Sequence, residues 1–145
     1  MTGLVAKQVS GSDGGLRDAL IAADLPIEDL NEGGRRFFRL DLHGRTVGYG
    51  GFEPHGEYAL VRSVVVLPEA RGKGLGRAIA EEVMAKAKAE RCTEAFLLTT
   101  TAADFFDHLG FKQMDRAYAP KEILATRQAA TICSTAALLT RPLND

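Results

Sequence analysis

One short segment combines glycines and basic residues at a spacing that suits the binding of an anion. It follows the apolar run Val64, Val65 and Val66, and it consists of Arg71, Gly72, Lys73, Gly74, Leu75, Gly76 and Arg77. The first turn of a helix leaves backbone N–H groups without partners and has partial positive charge. Glycines let a phosphate approach that backbone closely, and the basic side chains add formal charge. The segment therefore predicts a pyrophosphate site where a buried strand passes into a helix.

The glycine spacing excludes two common nucleotide-binding loops. The glycines occur as Gly-x-Gly-x-Gly, whereas dinucleotide-binding folds require Gly-x-Gly-x-x-Gly and an acidic residue after a following strand. No Gly-Lys-Ser/Thr ends the loop, as the Walker pattern requires. The alternative to an anion site is a solvated loop whose basic residues face water.

Hydrophobic periodicity predicts the elements that would hold this loop. Alternating or β-branched apolar runs predict strands, and apolar residues at every third or fourth position predict helices. The predicted strands are 36–43, 46–52, 58–67, 95–100 and 135–140, and the predicted helices are 12–23, 75–91, 102–109 and 120–128. Strands come first and then alternate with helices, which predicts a mixed sheet flanked by helices in the α/β or α+β class.

Composition limits the remaining possibilities. A chain of 145 residues with 46% apolar and 26% charged residues fits one globular domain, here 1–145. The net charge of −1 offers no basic field for nucleic acid. No apolar run approaches the roughly 20 residues of a membrane span, and no export signal is visible, so a cytoplasmic location is expected. Cys92 and Cys133 lack the spacing of metal ligands, and no metal is expected.

The loop resembles the motif of the GNAT superfamily of acyl-CoA N-acetyltransferases, Arg/Gln-x-x-Gly-x-Gly/Ala between a central strand and a long helix. Residues 71–76 fit that motif in full, and a later aromatic segment ending at Gly110-Phe111 is also similar. The resemblance implies a mixed, mostly antiparallel sheet with helices on both faces and acetyl-CoA as co-substrate. It further implies that the loop amides bind the pyrophosphate of coenzyme A, that Val64–Val66 binds the pantetheine arm, and that Phe106 lies at the cofactor.

A narrower resemblance suggests the acceptor. Residues 97–111 are similar to the acetyltransferase domain of N-acetylglutamate synthases. Small GNAT proteins of arsenic-resistance operons share further segments within about 45–140, namely 62–66, 97–102, 115–117 and 125–128. This resemblance implies that a small-molecule amine, an amino acid or an amino-acid analogue, is acetylated by direct attack in a ternary complex.

Acetyl transfer to an amine needs a base for the amine proton and a donor to the thioester oxygen. Family precedent gives the second role to the backbone N–H of Val65. Glu53, at the end of a predicted strand, is the candidate base acting through water, with His55 as an alternative. The opposing interpretation of Glu53 is a solvated loop carboxylate. Phe106 stands where many relatives have tyrosine, so the proton for the leaving thiolate comes from Tyr118 or from water.

An amino-acid acceptor needs a partner for its carboxylate, and arginine binds carboxylates through two hydrogen bonds. Arg62 lies in an apolar strand, where its charge must be paired or face a cavity. It is the first candidate and Arg127 the second; accessory contacts are expected from Ser63, Thr99 and Thr100. The alternatives for Arg62 are an internal salt bridge and an outward-facing edge position.

Three other functions compete with a small-molecule acetyltransferase. An acyl-CoA-binding sensor or interaction module would bind CoA without turnover, and the missing tyrosine favours it. A protein acetylase would need a peptide groove, and a nucleotide-binding module would need the motifs that are absent. A homodimer is a further expectation, since dimers are common for this fold.

Overall fold

The structure, a computed structural model, describes residues 3–143. Seven strands form one sheet in the order β1-β2-β3-β4-β5-β7-β6. The strands are β1 (Leu4–Val9), β2 (Arg36–Leu42), β3 (Arg45–His55), β4 (Tyr58–Val66), β5 (Glu94–Thr99), β6 (Lys112–Met114) and β7 (Ala137–Pro142). The helices are α1 (Gly14–Ala22), α2 (Leu75–Ala89), α3 (Ala103–Asp107) and α4 (Lys121–Leu124). Within 3–143, no helix is long and apolar enough to cross a bilayer.

The predicted fold class is confirmed. Strand β4 pairs with β5 in parallel, whereas the pairs β1/β2, β2/β3, β5/β7 and β6/β7 are antiparallel. Each predicted strand and the first three predicted helices are present, with ends shifted by a few residues. Strands β1 and β6 were not predicted, because β1 is a largely exposed edge strand and β6 has only 3 residues.

The prediction of one helix over 120–128 is wrong. Helix α4 ends at Leu124, and a separate π-helical turn covers Gln128–Ile132. Between them the Thr126 hydroxyl donates to the carbonyl of Ile123 at 2.7 Å. Side-chain bonds of this kind compete with the regular helical ladder. Arg116 then donates to three backbone carbonyls of the following segment, those of Ala129, Cys133 and Ala136, at 2.7–2.9 Å.

The described residues form two compact units, each with its own core. One contains the described residues up to Glu53 together with Val61–Lys86. Its core cluster is made of Leu16, Ala19, Leu20, Leu30, Phe37, Tyr49 and Val65. The other contains Pro54–Leu60 and the described residues from Ala87 onward. Its core cluster is made of Leu60, Phe96, Ile123 and Leu138.

Two glycines of β3 let α2 pack directly on the strand backbone. A Cβ at Gly48 would lie 2.3 Å from the Val65 carbonyl oxygen and 2.5 Å from Ile79 Cδ1. A Cβ at Gly50 would lie 2.6 Å from Val83 Cγ2. The absence of side chains at these two positions therefore fixes α2 close to β3, and with it the loop from which α2 begins.

Gly48→Ala is expected to destabilise the protein by about 2–3 kcal/mol, because the new methyl group meets a backbone carbonyl that cannot move alone. Gly50→Ala is the matched control and should cost less, since its nearest neighbour is the end of the Val83 side chain. Urea unfolding of both variants measures the difference. Equal losses would contradict the close strand–helix approach at Gly48.

Candidate functional site

The loop that begins α2 exposes its backbone. Residues 71–74 are exposed, whereas Leu75, the first residue of α2, is buried. Gly72 and Gly74 have φ angles of +82° and +73°, and a Cβ at either would have no atom within 4 Å. Positive φ favours glycine. The two glycines thus shape the turn and leave open space above it.

The loop is tied to the preceding strand and surrounded by basic side chains. Arg71 Nε donates to the carbonyl oxygen of Val66 at 3.2 Å. Lys73 and Arg77 are exposed beside it. Gly74 and Arg77 also border an open cavity of about 450 Å³, which extends along α2 to Glu81 and Glu82. An exposed backbone turn at the start of a 15-residue helix, with cations around it, suits a pyrophosphate, and the residues present fit coenzyme A at this point.

Strand β4 changes its backbone conformation just before this loop. Ser63 has a φ of +60°, which is uncommon for a residue with a side chain. The parallel pairing of β4 with β5 extends over Tyr58–Leu60 only. Val65 is buried, and Val64 and Val66 are half-buried. A positive φ inside a strand interrupts its regular ladder, so the segment that leads into the loop is distinct from the paired part of β4.

A buried ion cluster lies beside Ser63. The side chains of Arg62, Asp29 and Glu53 are each 1% exposed or less. Arg62 Nη1 lies 2.6 Å from Asp29 Oδ2 and 2.8 Å from Glu53 Oε2, and Nη2 lies 2.8 Å from Asp29 Oδ1. Arg62 Nε donates to the Ser63 hydroxyl at 3.1 Å. The arginine is therefore bound by two carboxylates and one hydroxyl.

Arg35 completes the cluster. Its Nη2 lies 2.9 Å from Asp29 Oδ2, and its Nε lies 3.8 Å from Glu53 Oε2. Burial alone would raise the pKa of Asp29, but the hydrogen bonds and charges of Arg62 and Arg35 lower that pKa to about 2. Burial likewise lowers the pKa of Arg62. The hydrogen bonds and charges of Asp29 and Glu53 have the larger opposite effect, so the pKa of Arg62 is raised. Two arginines thus face two buried carboxylates, and Arg35 also pairs with the more exposed Glu32 at 3.3 Å.

The structure decides between some of the interpretations of these residues. The alternative of Glu53 as a solvated carboxylate is wrong, because its side chain is buried against Arg62. The internal salt bridge proposed as an alternative for Arg62 is present. Asp29 was not predicted. An arginine in an apolar strand requires an acidic partner, but the sequence does not indicate which of 19 acidic residues it is.

Asp29→Asn should make stability less dependent on pH in acid. The pKa of Asp29 is depressed from 3.8 to about 2, so its ionised form contributes stability above pH 3.8 that is lost as the pH falls through 2. The variant should lose about 2 kcal/mol of unfolding free energy at pH 6, and this loss should shrink between pH 4 and pH 2. Urea unfolding from pH 2 to pH 6 measures it. A loss that is the same at every pH would contradict the assignment.

The other predicted site residues lie in the second compact unit. The Thr99 hydroxyl accepts the N–H of Ala102 at 2.9 Å and so caps the turn before α3, while Thr100 is exposed. Phe106 is buried and packs edge-on against Phe111, with ring centroids 5.6 Å apart. Arg127 is exposed just before the π-helical turn. Their roles toward a ligand stay predictions.

Tyr118 and His55, the remaining candidates for proton transfer, lie on the protein surface or at the end of a strand. Tyr118, the candidate proton donor, is 82% exposed on a short 3₁₀ turn. His55 is half-buried at the end of β3. Within residues 3–143, no group of three or more histidine, cysteine and acidic side chains is arranged to hold a metal ion.

Comparison with known sequences gives a family match. A family model described as an acetyltransferase (GNAT) domain matches residues 33–113, a range that includes the loop and the Arg62–Glu53 pair. An uncharacterized N-acetyltransferase of Chlorobaculum tepidum is 34% identical over 98 residues, which cover 67% of this chain and 63% of that protein. The chain thus spans less than two thirds of this relative.

Comparison with solved structures gives the same fold. N-acetylglutamate synthase from Neisseria gonorrhoeae, crystallised with coenzyme A and N-acetyl-glutamate, superposes with a TM-score of 0.79 at 15% identity. The match covers 100% of this chain and 36% of that one. A Mycobacterium tuberculosis protein crystallised with CoA has a TM-score of 0.71 at 19% identity, over 97% of this chain and 99% of that one. At these identities the likeness shows the fold alone.

Proposed function

The chain belongs to the GNAT acetyltransferase family, and on that premise we propose that it transfers acetyl from acetyl-CoA to the amine of a small molecule, an amino acid or an amino-acid analogue. The main support is the exposed loop at the start of α2, with positive φ at Gly72 and Gly74 and basic residues around it. In this proposal the backbone of residues 72–76 binds the pyrophosphate of CoA, and Arg71, Lys73 and Arg77 add charge.

Two groups near Arg62 are proposed for the chemical step. The thioester supplies the activated acetyl group, and the backbone N–H of Val65 is assigned to the thioester oxygen, where a donor lowers the barrier. Glu53 is assigned as the base that takes the amine proton. Its carboxylate is buried and paired with Arg62, so in this proposal the amine proton reaches it through water. Val64 and Val66 are assigned to the pantetheine arm. Phe106 is proposed to contact the cofactor, and this assignment rests on the family resemblance alone.

The acceptor carboxylate is proposed to bind an arginine. Arg127 is the first choice because its side chain is exposed to solvent. Arg62 would first have to release Asp29 or Glu53, which makes it the second choice. Ser63, Thr99 and Thr100 are proposed accessory donors. The structural likeness to a protein that binds N-acetyl-glutamate supports an amino-acid acceptor.

Release of free CoA from acetyl-CoA tests the function. The panel of acceptors contains L-glutamate, L-glutamine, a phosphinic glutamate analogue, spermidine and a short peptide. With each acceptor, the free CoA that is released is measured with a thiol reagent. Release with the amino-acid class only, lost in Arg71→Glu, is the expected result. The control is Arg45→Glu, which reverses an exposed charge in the β2–β3 turn. No release with any amine would overturn the proposal.

One observation favours a second function, an acyl-CoA-binding sensor. Phe106 cannot donate a proton where many relatives have tyrosine, and Tyr118 is almost fully exposed. A sensor would bind acetyl-CoA in calorimetry and release no thiol with any amine. Turnover with one acceptor class excludes this alternative.

Three further expectations belong to the same proposal. The whole of 1–145 is taken as one acetyltransferase domain, which the full coverage of this chain in the N. gonorrhoeae match supports. A cytoplasmic location and a homodimer are proposed from family resemblance. Neither nucleic acid nor membrane is proposed as a partner.

A further inference from the structure

One fully buried acid has no role in the function proposed above. Asp29 lies in the segment between α1 and β2, and its side chain is 0% exposed. Taking a carboxylate out of water is costly, and a buried ion pair is seldom more stable than apolar packing of the same volume. Charge balance with Arg62 and Arg35 explains why a second carboxylate is buried here, but it does not explain why Asp29 binds Arg62 at two points.

The geometry of Asp29 fixes the direction of the Arg62 guanidinium. Its two oxygens bind Nη1 and Nη2 at 2.6 and 2.8 Å, a two-point contact that defines the guanidinium plane. The Ser63 hydroxyl binds Nε in the same plane at 3.1 Å. With these bonds in place, Nη1 donates to Glu53 Oε2 at 2.8 Å. Asp29 thus helps to set the direction from which Arg62 binds the Glu53 carboxylate.

We propose that Asp29 is a positioning residue for acyl transfer, which orients Glu53 through Arg62 and keeps a second negative charge beside it. The inference rests on the proposed function, in which Glu53 takes the acceptor's proton. Asp29 contacts no substrate in this proposal. A like charge nearby favours proton uptake by a carboxylate and so makes Glu53 a stronger base. Arg62 opposes that effect, and Arg35, which is bound to Asp29, opposes it from 3.8 Å.

The pH dependence of kcat in Asp29→Asn tests the proposal, with acetyl-CoA saturating and the best amine of the panel as acceptor. Asparagine keeps the size of the side chain and one acceptor oxygen but removes the charge. We expect kcat to fall about tenfold, with the KM for acetyl-CoA changed less than about twofold. The acid limb of the kcat profile should move to lower pH, because Glu53 loses its like-charged neighbour.

Asp41→Asn is the matched control. Asp41 also binds an arginine at two points, since Arg39 Nε and Nη2 each lie 3.1 Å from one of its carboxylate oxygens. Asp41 lies on β2 and forms no part of the Arg62 cluster. Its loss should leave the kcat profile unchanged. A purely structural role for Asp29 would lower stability and would not move the acid limb.

The outcomes separate the two proposals. Turnover in the unsubstituted protein with an unshifted profile in Asp29→Asn overturns the positioning role and leaves the proposed function intact. No turnover in the unsubstituted protein overturns both. If Asp29→Asn does not fold, Asp29→Glu tests the positioning role instead. Glutamate retains the negative charge but shifts it by one methylene group. Asp29→Glu should lower kcat without moving the acid limb, and an unchanged kcat overturns the proposal.

Discussion

Gly74→Ala is expected to weaken the binding of CoA about tenfold or more, a loss of about 1.4 kcal/mol. The backbone at Gly74 has a φ of +73°, which costs about 1 kcal/mol for a residue with a side chain, and the methyl group would enter the open space above the loop. That space is where the pyrophosphate is proposed to lie. Isothermal titration calorimetry with CoA measures the loss.

Gly44→Ala is the control for backbone strain. Gly44 has a φ of +80° in the turn between β2 and β3, and a Cβ there would also have no atom within 4 Å. The two variants should lose similar amounts of unfolding free energy, while only Gly74→Ala should lose affinity for CoA. Unchanged affinity in Gly74→Ala would contradict the placement of the pyrophosphate.

Arg62→Met is expected to destabilise the protein by about 3–5 kcal/mol, because it leaves the Asp29 and Glu53 carboxylates buried without their shared partner. Thermal and urea unfolding measure the loss. Arg62→Lys should retain part of the stability, since an ammonium group supplies the charge but cannot match the planar contact with Asp29. The lysine variant still gives a result if the methionine variant does not fold.

Arg39→Met is the comparison for this prediction. Arg39 also binds an aspartate at two points, but its side chain is 34% exposed, and exposed ion pairs contribute about 1 kcal/mol or less. Removal of all four charges of the cluster, by Asp29→Asn, Glu53→Gln, Arg62→Met and Arg35→Met together, should be milder than Arg62→Met alone. Equal losses in Arg62→Met and Arg39→Met would show that the buried cluster is unimportant for folding.

Features that depend on local chain chemistry can be predicted from the sequence. The spacing of residues 71–76 predicted the loop and the family, which the match over 33–113 confirms. Periodicity predicted α2 and the central strands, because a helix face and a strand face repeat every few residues. Each of these features is encoded within about fifteen consecutive residues.

Only the tertiary structure determined which charges meet. Asp29 and Arg62 are 33 residues apart in the sequence, and no local pattern links one acid among many to one arginine. The segment after α4 likewise depends on Arg116, which binds carbonyls 13 to 20 residues further along the chain. Long-range polar contacts have no period, and they form only where the fold removes water and leaves a charge or carbonyl in need of a partner. For this reason the sequence predicted the anion-binding loop, whereas the buried cluster around Arg62 became visible only in the folded chain.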